Sequence, residues 1–376
     1  MKIINFTVRS CFPLLLFGIV ACQQANIDPP TSALVSRTQT QLILNNAILE
    51  QSNPKDNTVW KIQAKSSIYT EDKQAARLQT VTANFLQNNR MILKLSADGG
   101  EVRDNGNLIL LQGNIVAQDI RNGIVVKSEE LEWRPTEHLL AIRQNPVGIH
   151  PNLEVKATEG KYFTNTQSLE LQGNIIATTR EPALQLKSDR AVWQIPQQIL
   201  NSPLELQIVR YQKDASITDR LVADGGRVNL NTHTVNLNNN IELVSFDPQL
   251  QMATNSLIWN YETRTINADQ PIQIIDRQHN IDVTGNQAKV DLNQNIVHLK
   301  DGVKGINHQD NAQIYASQLV WQIDTKAIEA IGNVTYQQSN PQISLTGEKA
   351  VGKLAVDKII VTGEGSKQVT TTIINK

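Results

Sequence analysis

The chain has 376 residues, with 35 Lys and Arg against 36 Asp and Glu, so its net charge is −1. This balance excludes the strongly basic surface by which most nucleic-acid-binding proteins attract their partner. Only 5% of the residues are aromatic, while Asn, Gln, Thr, Ile, Leu and Val are frequent. Such a composition favours strands over helices.

Residues 1–21 have the pattern of a signal peptide. Lys2 and Arg9 precede CFPLLLFGIVA, whose apolar length of about eleven residues is short of the roughly 20 that a membrane-spanning helix needs. The run ends in Ala21-Cys22, which resembles a bacterial lipobox, so we predict cleavage before Cys22 and lipidation of that cysteine. An uncleaved anchor and an ordinary signal peptide are the alternatives. The exported mature chain is expected to contain no disulfide.

A phrase of about 31 residues recurs through the rest of the chain. LLQGNIVA at 110–117 returns as ELQGNIIA at 170–177. The pattern apolar-x-apolar-x-small occurs ten times, and its small residues are Ala64, Ala97, Ser128, Ala157, Ser188, Ala223, Thr254, Gly285, Ala316 and Gly347. A fixed period of this kind indicates stacked structural repeats.

Further positions keep the same register. Five residues after nine of the ten small residues stands a bulky one: Tyr69, Val102, Trp133, Tyr162, Trp193, Val228, Trp259, Val290 and Trp321. Segments such as LEVKA alternate apolar and polar residues with the period of a strand, and TNTQ or DNGN between them indicate turns. Each repeat is therefore predicted to be two short strands, with successive hairpins serving two facing sheets in turn.

The predicted fold is all-β, an elongated, twisted β-jelly roll built as a solenoid-like stack of antiparallel strand pairs. Residues 22–39 have no strand pattern and are expected to tether the lipidated end to the fold. The longest step between small residues, 35, falls near residue 205 and indicates either an insertion or a boundary between two similar halves. The halves would be 40–205 and 206–370.

Catalytic and metal-binding patterns are missing from the sequence. Its six His residues show no metal-ligand spacing, and no GxSxG or Walker A motif occurs. Asp98-Gly99-Gly100 and Asp224-Gly225-Gly226 recur at one repeat position, which favours turns with a structural role over a metal site. We therefore expect a protein without cofactor, metal or catalytic activity.

The pattern W-x-I-x-A-x-x-x-x-Y at 60–69, followed by LSADGGEV and LILLQGNI, resembles the LptC family of lipopolysaccharide export, with its OstA-like relatives LptA and the N-terminal part of LptD. This family has an open β-jelly roll that holds acyl chains and stacks edge to edge with its neighbours. The resemblance implies an LptC-like first half and an LptA/OstA-like second half. The lipoprotein signal and the double length depart from the usual LptC pattern.

The resemblance implies a periplasmic protein anchored at the inner membrane through its N-terminal lipid. Its expected partners are lipopolysaccharide, ABC transporter subunits at the N-terminal edge and another OstA-like jelly roll at the C-terminal edge. Candidate lipid-binding positions on the inner face are Trp60, Ile62, Leu93, Leu95, Leu111, Ile115, Ile124, Val126, Leu153, Val155, Leu171, Ile175, Leu184 and Leu186.

Two other functions are compatible with the same residues. Each candidate position could belong to a dry core, as in a periplasmic or surface β-solenoid scaffold or adhesin. An enzyme acting on envelope glycan would require clustered carboxylates in a groove, and the sequence gives no such constellation.

Overall fold

The computed structural model of the chain describes residues 42–53, 57–71, 74–339, 342–353, 356–363 and 369–373. The predicted signal peptide, the lipidation site Cys22 and the tether lie outside these residues. The described part is built of antiparallel strands, with 3-10 turns at Asp104–Gly106 and Pro135–Glu137. This confirms the all-β prediction.

The strands follow one another in chain order. Those of the first part are β1 Ile43–Asn53, β2 Thr58–Tyr69, β3 Ala76–Gln87, β4 Arg90–Arg103, β5 Leu108–Asp119, β6 Val125–Arg134, β7 Leu139–Arg143, β8 Val147–His150, β9 Leu153–Lys156, β10 Glu159–Phe163, β11 Ser168–Thr179, β12 Leu184–Gln194, β13 Ile199–Ser202 and β14 Leu206–Tyr211. The second part contains β15 Ile217–Ala223, β16 Gly225–Asn229, β17 Thr234–Phe246, β18 Gln249–Asn260, β19 Thr265–Ala268, β20 Ile272–Asp276, β21 Ile281–Gly285, β22 Gln287–Asp291, β23 Ile296–Asn307, β24 Ala312–Gln322, β25 Ala327–Ser339, β26 Gln342–Lys353, β27 Val356–Thr362 and β28 Thr370–Ile373.

Each long strand takes part in two ladders of hydrogen bonds. Strand β6 pairs through Glu130–Arg134 with β7 and through Val125–Lys127 with β8. Strand β12 likewise pairs with β13 near its C-terminus and with β14 near its N-terminus. A single strand, and not a whole hairpin as the sequence suggested, therefore serves both ladders.

We call the two series the first and the second ladder. The first ladder runs through β7, β10, β13, β16, β19 and β22 and the matching halves of the long strands. The second ladder runs through β8, β9, β14, β15, β20 and β21 and the other halves. The strands break their register where they pass from one ladder to the other, as between Gln112 and Ile115.

The small residues of the repeat lie at this crossing. The paired strands have Gly113, Gly173 and Gly332 at the crossing, with positive φ, which favours glycine. The Asp-Gly-Gly motifs also lie at the crossing and not in turns, because Gly99 and Gly100 are in β4. Their aspartates accept hydrogen bonds from the next strand: the Asn114 side chain donates to Asp98 at 2.7 Å. Asn240 donates in the same way to Asp224 at 2.6 Å.

Strand pairing continues through the predicted boundary at 205/206. Leu206 of β14 lies opposite Ser188 of β12, and β13 pairs with β16. The buried apolar residues form one cluster from Trp60 to Ala350. The division into two halves therefore stays a prediction, since no gap in pairing or packing marks it.

Candidate functional site: the interior and its mouth

The fourteen candidate residues all lie on the inner face of the ladders. Each is between 0% and 6% exposed and belongs to the single apolar cluster. Leu111 and Leu171 belong to the first ladder, where they face Gly100 and Gly160 on the paired strands. The others, such as Ile115 beside Ser128, continue the second ladder. Their burial fits either a lipid path or a core, so the lipid-binding role remains a prediction.

The bulky residues of the repeat form one continuous row along the first ladder. Each residue is directly opposite the next on the paired strand, as in Leu169, Trp193, Leu200 and Val228. The row continues through Val235 to Trp259 and then to Trp321. We call it the tryptophan row. It explains the recurrence of Trp in every other repeat as a packing pattern on one face.

The hairpin ends of the two ladders meet on the side opposite the crossings. We call this side the mouth. The evidence is a set of bonds between hairpins of different ladders: Arg121, between β5 and β6, donates to the Thr164 carbonyl, between β10 and β11, at 2.6 Å. In the adjacent pair of side chains, Asn122 donates to Gln167 at 2.9 Å. On one side, the strands that cross between the ladders close the interior. On the other side, contacts between hairpin side chains close it.

The second ladder presents buried polar residues at the mouth, in line with the apolar ones deeper inside. Along β5, Ile115, Ala117 and Asp119 alternate inward, and Asp119 is 1% exposed. The same outermost position holds Asp219, Ser245, Asp276 and Asn307 on other strands, all buried. The inner surface is therefore apolar in its depth and polar at its rim.

Asp119 anchors the first bridge across the mouth. Its carboxylate accepts bonds from Arg121 Nε at 3.0 Å and from the Tyr162 hydroxyl at 2.6 Å. Tyr162 belongs to the tryptophan row, so this bond joins the rims of the two ladders. Burial, and next the negative charge of Asp119, raise the pKa of Tyr162, which keeps its hydroxyl a donor.

Asp219 anchors a second bridge with two arginines. Arg264, in the hairpin after Tyr261, donates to its carboxylate from Nη2 at 3.0 Å and from Nε at 3.3 Å. Arg210 Nη1 lies 3.8 Å from the Asp219 carboxylate, and Arg210 Nε donates to the Tyr261 carbonyl at 2.8 Å. Burial lowers the pKa of Arg210, and the carboxylate of Asp219 opposes that change.

A third contact and a cleft lie between these two bridges. Asn152 donates to Gln198 at 3.0 Å, and the His150 ring meets the Trp193 ring edge-on with centroids 5.6 Å apart. Beyond them a cleft of about 390 Å³ separates the ladders. It is lined by Pro151, Asn152, Thr179, Arg180, Glu181, Leu230, His233 and Tyr261. Here the rims stand apart, whereas the adjoining stretches are bridged.

Three indoles of the tryptophan row lack a hydrogen-bond partner within the described part of the chain. They are the Nε1 donors of Trp193, Trp259 and Trp321, whose side chains are fully buried. An unpaired buried donor costs about 1–3 kcal/mol. Among the described residues, these three donors of the row therefore face no acceptor.

The described residues offer no group of His, Cys, Asp or Glu arranged to hold a metal ion. Across the same residues, no helix has the length and apolarity required to span a membrane. The His150 ring contacts Trp193 of the tryptophan row, and burial lowers the pKa of His150.

Sequence reasoning located the inner face but missed the rim. Asp119, Asp219 and Asp276 stand at inward positions of alternating strands, as LQGNIVAQD shows for Asp119. An acidic residue at the inward position next to a turn was the available signal. Arg264 and Tyr162 could not be paired with them from sequence, because the ladders bring together residues 45 and 43 positions apart.

Comparison with known protein families agrees with this architecture. Residues 13–149 and 205–309 match the model of the family described as lipopolysaccharide-assembly, LptC-related, and the two segments cover more than half of the chain. The chain belongs to the LptC-related family. A search of curated proteins finds no match.

Membership of the LptC-related family makes the chain a component of lipopolysaccharide transport. The family is one of transport and bridging proteins, periplasmic and associated with the inner membrane, and not one of known enzymes. The predicted resemblance is thereby confirmed. Residues 150–204, which include one wall of the cleft, lie between the two matched segments.

Proposed function

We propose that this LptC-related chain binds the acyl chains of lipopolysaccharide between its two ladders and passes them along the periplasm. The observation that carries the proposal is the continuous apolar inner face, uninterrupted from Trp60 to Ala350. A path without a single specific pocket suits a cargo that moves, because each repeat offers an equivalent apolar environment.

Exposing acyl chains to water on the way across the periplasm has a large free-energy cost. Each methylene exposed to water costs about 0.8 kcal/mol, so an amphiphile with several acyl chains cannot cross an aqueous gap cheaply. Leu, Ile and Val side chains remove this cost without demanding a fixed orientation. The rim supplies polar groups for the part of the amphiphile that stays hydrated.

The proposed place of the chain in the machinery is between an inner-membrane ABC transporter and the next bridge protein. Strand β1 pairs with β2 and carries exposed apolar side chains at Ile43, Leu44 and Ile48. An edge strand of this kind adds a partner strand by backbone hydrogen bonds. We assign this edge to the transporter side and the β27–β28 end to another OstA-like jelly roll. The lipid on Cys22 would hold the chain at the periplasmic face of the inner membrane.

Photo-crosslinking in cells tests the proposal. A photoreactive residue replaces the buried Ile115 or Ile175, and the exposed Gln112 and Gln172 of the same strands serve as matched controls. We expect lipopolysaccharide adducts at the two isoleucines and none at the glutamines. A folded protein without adducts at either isoleucine would refute the lipid path and favour the dry-core scaffold.

A further inference from the structure

The cleft between the bridges combines the side chains that recognise sugars. Its lining carries the polar side chains of Asn152, Arg180, Glu181 and His233. Of these, Asn152 is bonded to Gln198 and His233 is bonded to Glu262. Within the described residues, neither Arg180 nor Glu181 is hydrogen-bonded to another side chain, and both are exposed. The opposite charges of Arg180 and Glu181 balance, so the lining fits a hydroxyl-rich group better than a simple anion.

The deep side of the cleft connects it with the apolar interior. Its floor is formed by Leu230 and Tyr261, which are 7% and 1% exposed. The Tyr261 ring contacts the Trp259 ring of the tryptophan row with centroids 6.1 Å apart. Pro151, on the other wall, follows His150, whose ring contacts Trp193. A ligand in the cleft would therefore lie between two members of the row.

These two tryptophans provide an independent indication of a ligand. The Nε1 donors of Trp193 and Trp259 are buried and have no acceptor among the described residues. Ester, amide and hydroxyl oxygens at the junction between the sugar and the acyl chains of a glycolipid are acceptors of the required kind.

Strand β11 leads from the interior to the cleft. In β11, Ile175, Ala177 and Thr179 alternate inward, from the interior to the cleft. Four residues of strand span about 13 Å. A lipid with its acyl chains near Ile175 would thus place its polar end at Thr179.

We propose that this cleft binds the sugar headgroup of a glycolipid whose acyl chains occupy the interior beside it. The proposal rests on the proposed function, because it takes the acyl chains to lie between the ladders. The bridges at Asp119 and Asp219 close the mouth on either side, so the headgroup projects where the rims stand apart. Five of the lining residues, Pro151, Asn152, Thr179, Arg180 and Glu181, lie between the two segments matched by the family model.

Photo-crosslinking of the full-length protein tests the site. A photoreactive residue replaces Arg180 in the cleft, Lys213 in the next hairpin of the same ladder, or Ile175 in the interior. Lys213 is the matched control, since it is exposed and lies beyond the Arg210 bridge. We expect glycolipid adducts at Arg180 and Ile175, with at least fivefold fewer at Lys213. Added deacylated sugar headgroup should reduce the Arg180 adducts and leave those at Ile175 unchanged.

The outcomes separate the two proposals. Adducts at Ile175 with none at Arg180, or equal adducts at Arg180 and Lys213, would overturn the cleft and leave the acyl path standing. Absence of adducts at Ile175 would overturn both. As a second measurement, replacing Arg180 and Glu181 together with Ala removes two surface groups without disturbing the core. We expect about three- to tenfold weaker retention of intact glycolipid. Unchanged retention would contradict the cleft proposal.

Discussion

Replacing Asp219 by Ala should destabilise the protein far more than the loss of an ordinary ion pair. The side chain is 0% exposed, and its partners Arg264 and Arg210 are 11% and 16% exposed. Both guanidinium groups are held in place by further bonds, Arg264 to Ser245 and the Asp247 carbonyl, Arg210 to the Tyr261 carbonyl. The change therefore leaves two positive charges near each other at a buried position.

The magnitude follows from this arrangement. Removing one partner of a buried ion pair costs about 3–5 kcal/mol, because the remaining charge is uncompensated. Asp219→Asn keeps the shape and one acceptor oxygen, so it should lose less. The matched control is Glu329→Ala, which removes the partner of Lys349 on an exposed pair with side chains 41% and 46% exposed. Exposed pairs contribute about 0–1 kcal/mol.

The free energy of unfolding is measured by urea denaturation with tryptophan fluorescence as the signal, since the tryptophan row passes next to the bridge. Hydrogen exchange of the backbone amides in β15 and β17 reports where the loss occurs. A repeat structure should show the loss locally, because each unit contacts only its neighbours. A loss below about 1 kcal/mol, equal to that of Glu329→Ala, would show that the bridge does not hold the rims together.

Three further predictions concern the crossing, the lipid anchor and the β1 edge. Gly100→Ala should cost about 1–3 kcal/mol in unfolding free energy, because its Cβ would clash with the Leu110 carbonyl oxygen. Gly99→Ala, whose Cβ would stand 3.2 Å from the Leu78 carbonyl oxygen, should cost less, and equal losses in urea denaturation would contradict the packing reason. Cys22→Ala should abolish acylation, and mass spectrometry of the mature N-terminus together with membrane fractionation checks it; an unchanged acylated product would contradict the lipobox. Ile48→Lys places a charge on the exposed face of β1 and should reduce co-purification with the transporter without lowering the unfolding free energy; undiminished co-purification would argue against docking at this edge.

The period of the repeat and the alternation within it were sufficient to predict the all-β fold and its inner face. LEVKA and LELQGNI alternate so regularly that Val155 and Leu171 could be assigned inward without a structure. The crossing between ladders was not predictable in the same way. A Gly-Asn pair is compatible with a turn as well as with a bend inside a strand, and only the long-range pairing decides between them.

The rim was the part of the site that sequence could not supply. Asp219 lies on β15 and Arg264 between β18 and β19, and their contact depends on how two ladders approach each other at the mouth. Local pattern gives the face of each strand but not the partner that faces it across the interior. The same limit applies to the cleft, whose walls come from hairpins at Arg180 and His233.

The polar bridges at the rim predict an effect on cargo entry that can be tested. Replacing a buried ion pair by apolar residues of similar size is often neutral or stabilising by about 1–4 kcal/mol, so stability alone gives no reason for Asp219 and its arginines. A charged bridge can instead separate and let its groups hydrate when the rims part, whereas an apolar seam resists exposure to water. We therefore expect the triple variant Asp219→Leu, Arg210→Met and Arg264→Met to unfold at the same or higher urea concentration than the native protein, but to give fewer lipopolysaccharide adducts at Ile175. Native adduct levels in this variant would mean that cargo enters along the ladders without opening the mouth at Asp219. A large loss of stability would mean instead that the bridge serves the fold.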